Sequence, residues 1–249
     1  MRIATRTPAL VALLLCLGVG GAAVAQTEAE LEPANTNIKN QPSLQRGAKY
    51  FVNYCLGCHS AKYVRYNRLG EDLQLTEQQL VDNLMFTGER PFDTMAIAMK
   101  PEDATRWFGK EPPDLSLIAR ARGTDYLYTF LRSFYLDPSR PTGANNVVLR
   151  GVAMPPVLWE LQGLQRAKFT IDAKRGGEEV FEGFESVRPG ELTEAEFDDV
   201  VRDIVNFLDY IGEPIKRERQ ALGIRVIGFL LVFLLIAYLL KKEIWKDVH

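Results

Sequence analysis

The sequence predicts a mainly α-helical domain carried on one C-terminal membrane-spanning helix. Three observations lead there. Gly47, Phe51 and Cys55 recur every four residues, so they share one helical face. Phe197, Val200, Val201, Ile204, Val205, Leu208 and Ile211 form a longer apolar stripe at helical spacing. Val226 to Leu240 contains no charge, and with Leu222 to Arg225 it approaches the roughly 20 residues that cross a bilayer. The 249 residues suit one domain with additional segments. The apolar and charged fractions, 47% and 25%, are those of a globular protein. A net charge of -2 argues against a nucleic-acid partner, which calls for a basic face.

The chain opens with Arg2 and Arg6, an apolar run from Ala9 to Val19, and then Ala23-Val24-Ala25. A positive start, a short apolar core and an A-x-A site describe an export signal over residues 1–25, cut after Ala25. The run is short for a span, although a buried N-terminal helix or an uncleaved anchor would share its composition. Cys16 belongs to this leader; Leu15 precedes it where a lipoprotein would carry a small residue. The mature part then divides into an exported domain (26–215), a juxtamembrane linker (216–221), the span (222–240) and a short tail (241–249).

In the first helix Ser43 is a candidate N-cap, and Gly47 would let a second helix approach closely. The helix runs into Cys55-Leu56-Gly57-Cys58-His59. C-x-x-C-H is the attachment signature of c-type haem. Two thiols at this spacing reach the two vinyl groups on one porphyrin edge, and the next residue lies under the iron as proximal ligand. Half of a zinc site is the rival reading, but zinc needs about four nitrogen or sulfur ligands and the mature chain offers only Cys55, Cys58, His59 and His249. A thioredoxin-like pair would sit beside a βαβ pattern, and none is visible. The expected cofactor is one covalently attached haem c. The helix before the motif then looks like the N-terminal helix of a class I cytochrome c-like haem domain with long loops, crossed beside the haem by a C-terminal helix. That second helix is the Phe197–Ile211 stripe. Thr193-Glu194-Ala195-Glu196 is a capping box before it, and Gly212 and Pro214 follow as stop signals.

The other face of the iron is constrained by counting. The sequence has two histidines; His59 is used, and His249 lies beyond the span. Methionine is the usual alternative, from Met85, Met95, Met99 or Met154. Met154 is favoured because Pro155 and Pro156 stiffen the chain after it, and because it is the last methionine before the C-terminal helix. A methionine filling a core gap is the competing reading.

Between the motif and Met154 lies Trp107 to Ser116, with Pro112-Pro113-Asp114-Leu115-Ser116. Pro112 or Pro113 can present a carbonyl to the free nitrogen of His59, with Pro113 the site candidate. Arg120, Arg122 and Tyr126 follow as candidate cofactor contacts, since guanidinium groups pair with haem propionates; two exposed helix arginines would look the same. From Glu178 to Asp199 nine acidic residues stand against Arg188. Such a run is a solvated face or a surface that steers a basic partner. After the span come Lys241, Lys242 and Lys246 with Trp245 as an interface anchor, while Lys216, Arg217 and Arg219 precede it. Basic residues on both sides leave orientation to the export signal: domain outside, tail inside.

Taken together, Cys55 to Ser60, Trp107 to Ser116, Arg120-Ala121-Arg122, Ala153-Met154-Pro155-Pro156 and the single C-terminal anchor resemble the cytochrome c1 family, the haem subunits of the cytochrome bc1 complex (ubiquinol–cytochrome c reductase). The resemblance implies iron ligation by His59 and Met154 and a propionate contact at Arg122. It also implies electron transfer in a respiratory chain, from a mobile Rieske iron–sulfur protein to a soluble cytochrome c or equivalent acceptor. Cytochrome b would be the membrane partner in a dimeric complex, at the bacterial inner membrane with the haem domain on the periplasmic side and the C-terminus cytoplasmic. Another membrane-anchored haem protein, such as an oxidase subunit, shares most of these features. A haem sensor would need an open iron and an output domain, for which the short tail leaves no room. No cluster suggests substrate turnover on this chain itself, so the expected task is electron transfer.

Overall fold

The computed structural model describes residues 30–97, 99–172 and 178–246. The leader (1–25) and His249 lie outside the described residues.

Helix α1 spans Gln41–Tyr50 and is capped by Asn40, whose side chain accepts from the Ser43 backbone N–H at 3.3 Å. Pro42 occupies the first turn, where its missing N–H costs nothing. Ser43 is therefore not the cap. It is buried, and its hydroxyl donates to Asp203 at 2.6 Å, a bond to a residue 160 positions away that no local pattern announces. The chain continues as a π turn, Phe51–Cys55, with the Leu56 N–H bonding the Phe51 carbonyl at 2.9 Å.

Strand β1 (Ala61–Arg65) pairs antiparallel with β2 (Thr94–Met95), around helices α2 (Tyr66–Asp72) and α3 (Glu77–Leu84). Helix α4 (Pro101–Phe108) ends at Gly109, whose φ of 79° is the left-handed conformation glycine adopts without strain. Helices α5 (Ile118–Arg122) and α6 (Thr124–Arg132) follow, then an antiparallel pair of β3 (Phe134–Leu136) and β4 (Ala144–Asn146). Short helix α7 (Trp159–Gln162) leads into a hairpin of β5 (Gly163–Asp172) and β6 (Glu178–Pro189). Helices α8 (Glu194–Gly212) and α9 (Lys216–Ile244) complete the chain.

The expected crossing of first and last domain helices is present as α1 on α8. A Cβ on Gly47 would stand 2.1 Å from the Asp203 carbonyl oxygen and 2.7 Å from the Phe207 Cβ, so only glycine permits this approach. Phe51 and Phe207 fill the next layer, ring centroids 5.4 Å apart. Asp203 accepts from Ser43 and from Arg46 (Nε 2.6 Å, Nη2 3.0 Å), so the buried carboxylate is matched by donors from α1. The capping box of α8 forms: the Thr193 N–H donates to Glu196 Oε2 at 2.9 Å, and the Glu196 N–H donates to Thr193 Oγ1 at 3.4 Å. Each residue of the predicted stripe is buried, none above 6% exposure. At about 1.5–3 kcal/mol per buried apolar side chain, this face is a principal source of the domain's stability.

The β5–β6 hairpin was not anticipated; periodicity there was masked by charge. It packs over β3 through Tyr135, Phe169 and Phe181, with centroid spacings of 5.8 and 5.9 Å. The acidic run is divided between β6 and the start of α8. Glu179 pairs with Arg150, Glu185 with Lys168, Asp198 with Arg132 and Asp199 with Arg202, while Glu196 serves as a cap.

Residues 216–221, read as a linker, form the first turns of α9. Pro214 interrupts the chain for only a few residues, and the helix restarts at Lys216. Glu218–Ile244 is, among the described residues, the one helix long and apolar enough to cross a membrane. At 1.5 Å per residue it is about 40 Å long, more than the hydrocarbon core requires. Its start is tied to the end of α8. The Lys216 ammonium donates to both Asp209 carboxylate oxygens at 2.8 and 2.9 Å, and Arg219 pairs with Glu213.

Candidate haem site

The π turn delivers Cys55 to the wall of an apolar cavity of about 290 Å³. The next turn is tight: the N–H groups of Cys58 and His59 both donate to the Cys55 carbonyl, at 3.0 and 2.8 Å. Both cysteines and the histidine therefore face one cavity from one short segment. Phe108, Tyr126, Val152, and Ile204 with Leu208 supply apolar walls from four other parts of the chain.

His59 is buried, and its Nδ1 bonds the Pro113 carbonyl at 2.7 Å. A carbonyl can only accept, so Nδ1 carries the proton and Nε2 is left as a lone-pair donor. Burial lowers the His59 pKa, with the Pro113 bond and Asp114 opposing, which favours the neutral ring that a metal requires. Of the two prolines the sequence left open, Pro113 makes this contact. Burial pushes the Cys55 thiol up to about 12 and raises Cys58 as well. Thioether attachment to a haem would leave neither sulfur to ionise. Among the described residues no group of three or more His, Cys, Asp or Glu is placed to hold a metal ion.

The four candidate methionines separate cleanly. Met154 lines the cavity that His59 lines. Met85 and Met95 are buried in the core, and Met99 lines a separate polar cavity on the far side of Pro112 and Pro113. The two arginines separate as well. Arg122 lines the same cavity as Met154, its guanidinium 5.5 Å from the Tyr126 ring centroid. Arg120 is not among the cavity residues; its Nη1 lies 3.3 Å from Glu213 Oε2. A helix turns about 100° per residue, so positions two apart point to different sides. Side chains the sequence reading did not single out include Tyr54 and Phe108 on the wall, and Ser116, buried behind the Pro113 loop. An aromatic next to the first cysteine was the available signal for Tyr54.

The residues fit a haem: two thiols and a neutral histidine on one wall, a thioether in the same cavity, an apolar lining and a cation at the rim. The sequence profile of the cytochrome c1 family matches residues 35–167 and 178–248. The chain belongs to the cytochrome c1 family. A cytochrome c1 of Allochromatium vinosum is 52% identical over 219 residues, covering 88% of this chain and 90% of the relative. A protein of Nitrosomonas europaea named ammonia monooxygenase gamma subunit is 45% identical over 222 residues, 89% of this chain and 90% of the relative. A cytochrome b/c1 of Bradyrhizobium diazoefficiens is 25% identical over 236 residues, 83% of this chain and 33% of that longer protein. As a cytochrome c1 family member the chain carries one covalently bound haem c, and it is a haem electron-transfer subunit of the bc1 oxidoreductase complex. Its one apolar C-terminal helix fits a single-pass membrane protein.

Proposed function

We propose that the haem is bonded through Cys55 and Cys58 and ligated by His59 and Met154, and that this chain takes electrons from a Rieske iron–sulfur protein and delivers them to a soluble cytochrome c or equivalent acceptor. The observation that carries the ligand set is the meeting of His59 and Met154 in one cavity with both cysteines. Bound there, the haem supplies a one-electron couple, and histidine–methionine ligation places that couple at high potential. The chain's own residues do the rest. Pro113 orients the His59 ring, Pro155 and Pro156 stiffen the segment that presents Met154, and the apolar walls keep water from the iron. Arg122 is the proposed partner of a haem propionate, with Tyr126 stacked against it; Arg120 is left to Glu213. Cytochrome b is the proposed membrane partner in a dimer. The haem domain would stand on the periplasmic side of the bacterial inner membrane, with the tail cytoplasmic and the leader (1–25) removed.

Met154→Leu tests the ligand set. Its sulfur is lost without loss of bulk, and the expected outcome is a lower reduction potential with altered axial-ligand bands; an unchanged potential and spectrum reject Met154. Purification in mild detergent through this chain tests the partners. Recovery with cytochrome b and a Rieske protein is expected. Recovery with a terminal oxidase or a monooxygenase, as the Nitrosomonas relative's name would suggest for that protein, rejects the assignment.

A further inference from the structure

The loop Pro112-Pro113-Asp114-Leu115-Ser116 presents the Pro113 carbonyl to His59. Four hydrogen bonds join this loop to His59 and the segment that follows it. His59 Nδ1 meets the Pro113 carbonyl at 2.7 Å. The Leu115 N–H donates to the Ser60 carbonyl at 2.8 Å. The Lys62 N–H donates to Asp114 Oδ2 at 2.9 Å, and the Tyr63 N–H donates to Ser116 Oγ at 3.1 Å. Within the loop the Ser116 N–H donates to Asp114 Oδ1 at 2.9 Å. Both carboxylate oxygens are thus engaged, one across to β1 and one back into the loop. Ser116 is fully buried. A polar cavity borders the same loop through Lys62, Pro113 and Asp114.

We infer that Asp114 and Ser116 are positioning residues for the proximal ligand: together they clamp the loop to β1 so that the Pro113 carbonyl stays on the Nδ1 proton of His59. Neither residue touches the haem in this scheme. They act through Pro113, and the inference rests on the proposed ligation by His59. A firmly held carbonyl strengthens the imidazole as a donor and fixes the ring's rotation. Burial alone would raise the Asp114 carboxyl, but the bonds from Ser116 and from the Lys62 backbone hold it below the usual carboxylate range, consistent with an ionised clamp.

The test compares Ser116→Ala, Asp114→Asn and Asp114→Ala in the haem-loaded full chain. Ser116→Ala is nearly isosteric and changes no charge, so it separates positioning from a simple field effect. Exchange of the His59 Nδ1 proton is read in the reduced protein, together with the reduction potential. The clamp predicts roughly threefold to tenfold faster exchange in Ser116→Ala, as expected for loss of one net hydrogen bond, and a raised potential. Asp114→Ala shifts both further, and Asp114→Asn, which keeps one acceptor oxygen, falls between wild type and Asp114→Ala. An unchanged exchange rate and potential in Ser116→Ala, with equal potentials for the two Asp114 variants, would mean that Asp114 acts only as a charge and overturns the inference. Failure of the underlying reading would show differently, as a wild-type chain without covalently bound haem or with an axial ligand other than His59.

Discussion

Replacing Gly47 by alanine probes the crossing on which the haem site is built. The added Cβ would lie 2.1 Å from the Asp203 carbonyl oxygen and 2.8 Å from its carbonyl carbon, against 3.4 Å for ordinary contact. Both neighbours are backbone, so relief requires α1 and α8 to part by about 1 Å, a shift that close-packed interiors resist. That displacement would stretch the bonds from Ser43 and from Arg46 Nε to Asp203, both 2.6 Å, beyond hydrogen-bonding range. Overpacking costs about 1–3 kcal/mol, and each lost bond to the carboxylate about 1 kcal/mol or more. Alanine regains about 1 kcal/mol of helix propensity. The net expectation is a loss of about 2–4 kcal/mol, or a fall in Tm of about 5–15 °C for a domain of this size. Thermal and denaturant unfolding of the haem-loaded protein, followed by far-UV circular dichroism, measures it. Gly57→Ala is the matched control inside the haem motif: nothing lies within 4 Å of its Cβ position, and its expected effect is within about 0.5 kcal/mol. A Gly47→Ala protein as stable as the control would refute the close-approach reasoning.

Three further outcomes are expected. Glu196 is held below the usual carboxylate range by the Thr193 backbone and hydroxyl, so its capping contribution is complete above that range and is lost as pH falls through the lowered value; amide exchange at the start of α8 should rise there, and a Thr193→Ala protein should lack this pH dependence. Asp209→Ala with Glu213→Ala removes the acceptors for Lys216 and Arg219, so protease cleavage between α8 and α9 should accelerate and the haem should lose its fixed angle in oriented membranes; unchanged cleavage and orientation would show that other contacts hold the junction. If the acidic residues of β6 and early α8 steer a basic acceptor, its reduction rate should fall with ionic strength, and a flat dependence would leave them as a solvated face.

The readable parts of this chain share a property: their partners lie within a few residues. The capping box needs Thr193 and Glu196, the attachment motif needs Cys55 through His59, and the span needs only an uncharged run. Gly47 was legible because a glycine on an apolar helical face has few uses besides close approach. The illegible parts depended on distant partners. Ser43 looked like a cap until Asp203 claimed its hydroxyl, and Asn40 took the role three residues earlier. The β5–β6 hairpin was hidden because charges alternate with aromatics on strands that pack against β3.

Sequence alone determined the haem chemistry, the helix that leads into it, the helix that crosses it and the membrane anchor, because covalent spacing, helical period and hydrophobic length are local quantities. Only the tertiary structure decided which proline faces His59, which arginine faces the cavity, which methionine shares that cavity, and that the anchor helix is joined to the domain by ion pairs at Asp209 and Glu213. The first three of those outcomes are choices between chemically equivalent residues. Such choices are made by the direction in which a folded backbone points a side chain, a quantity that composition and spacing do not contain.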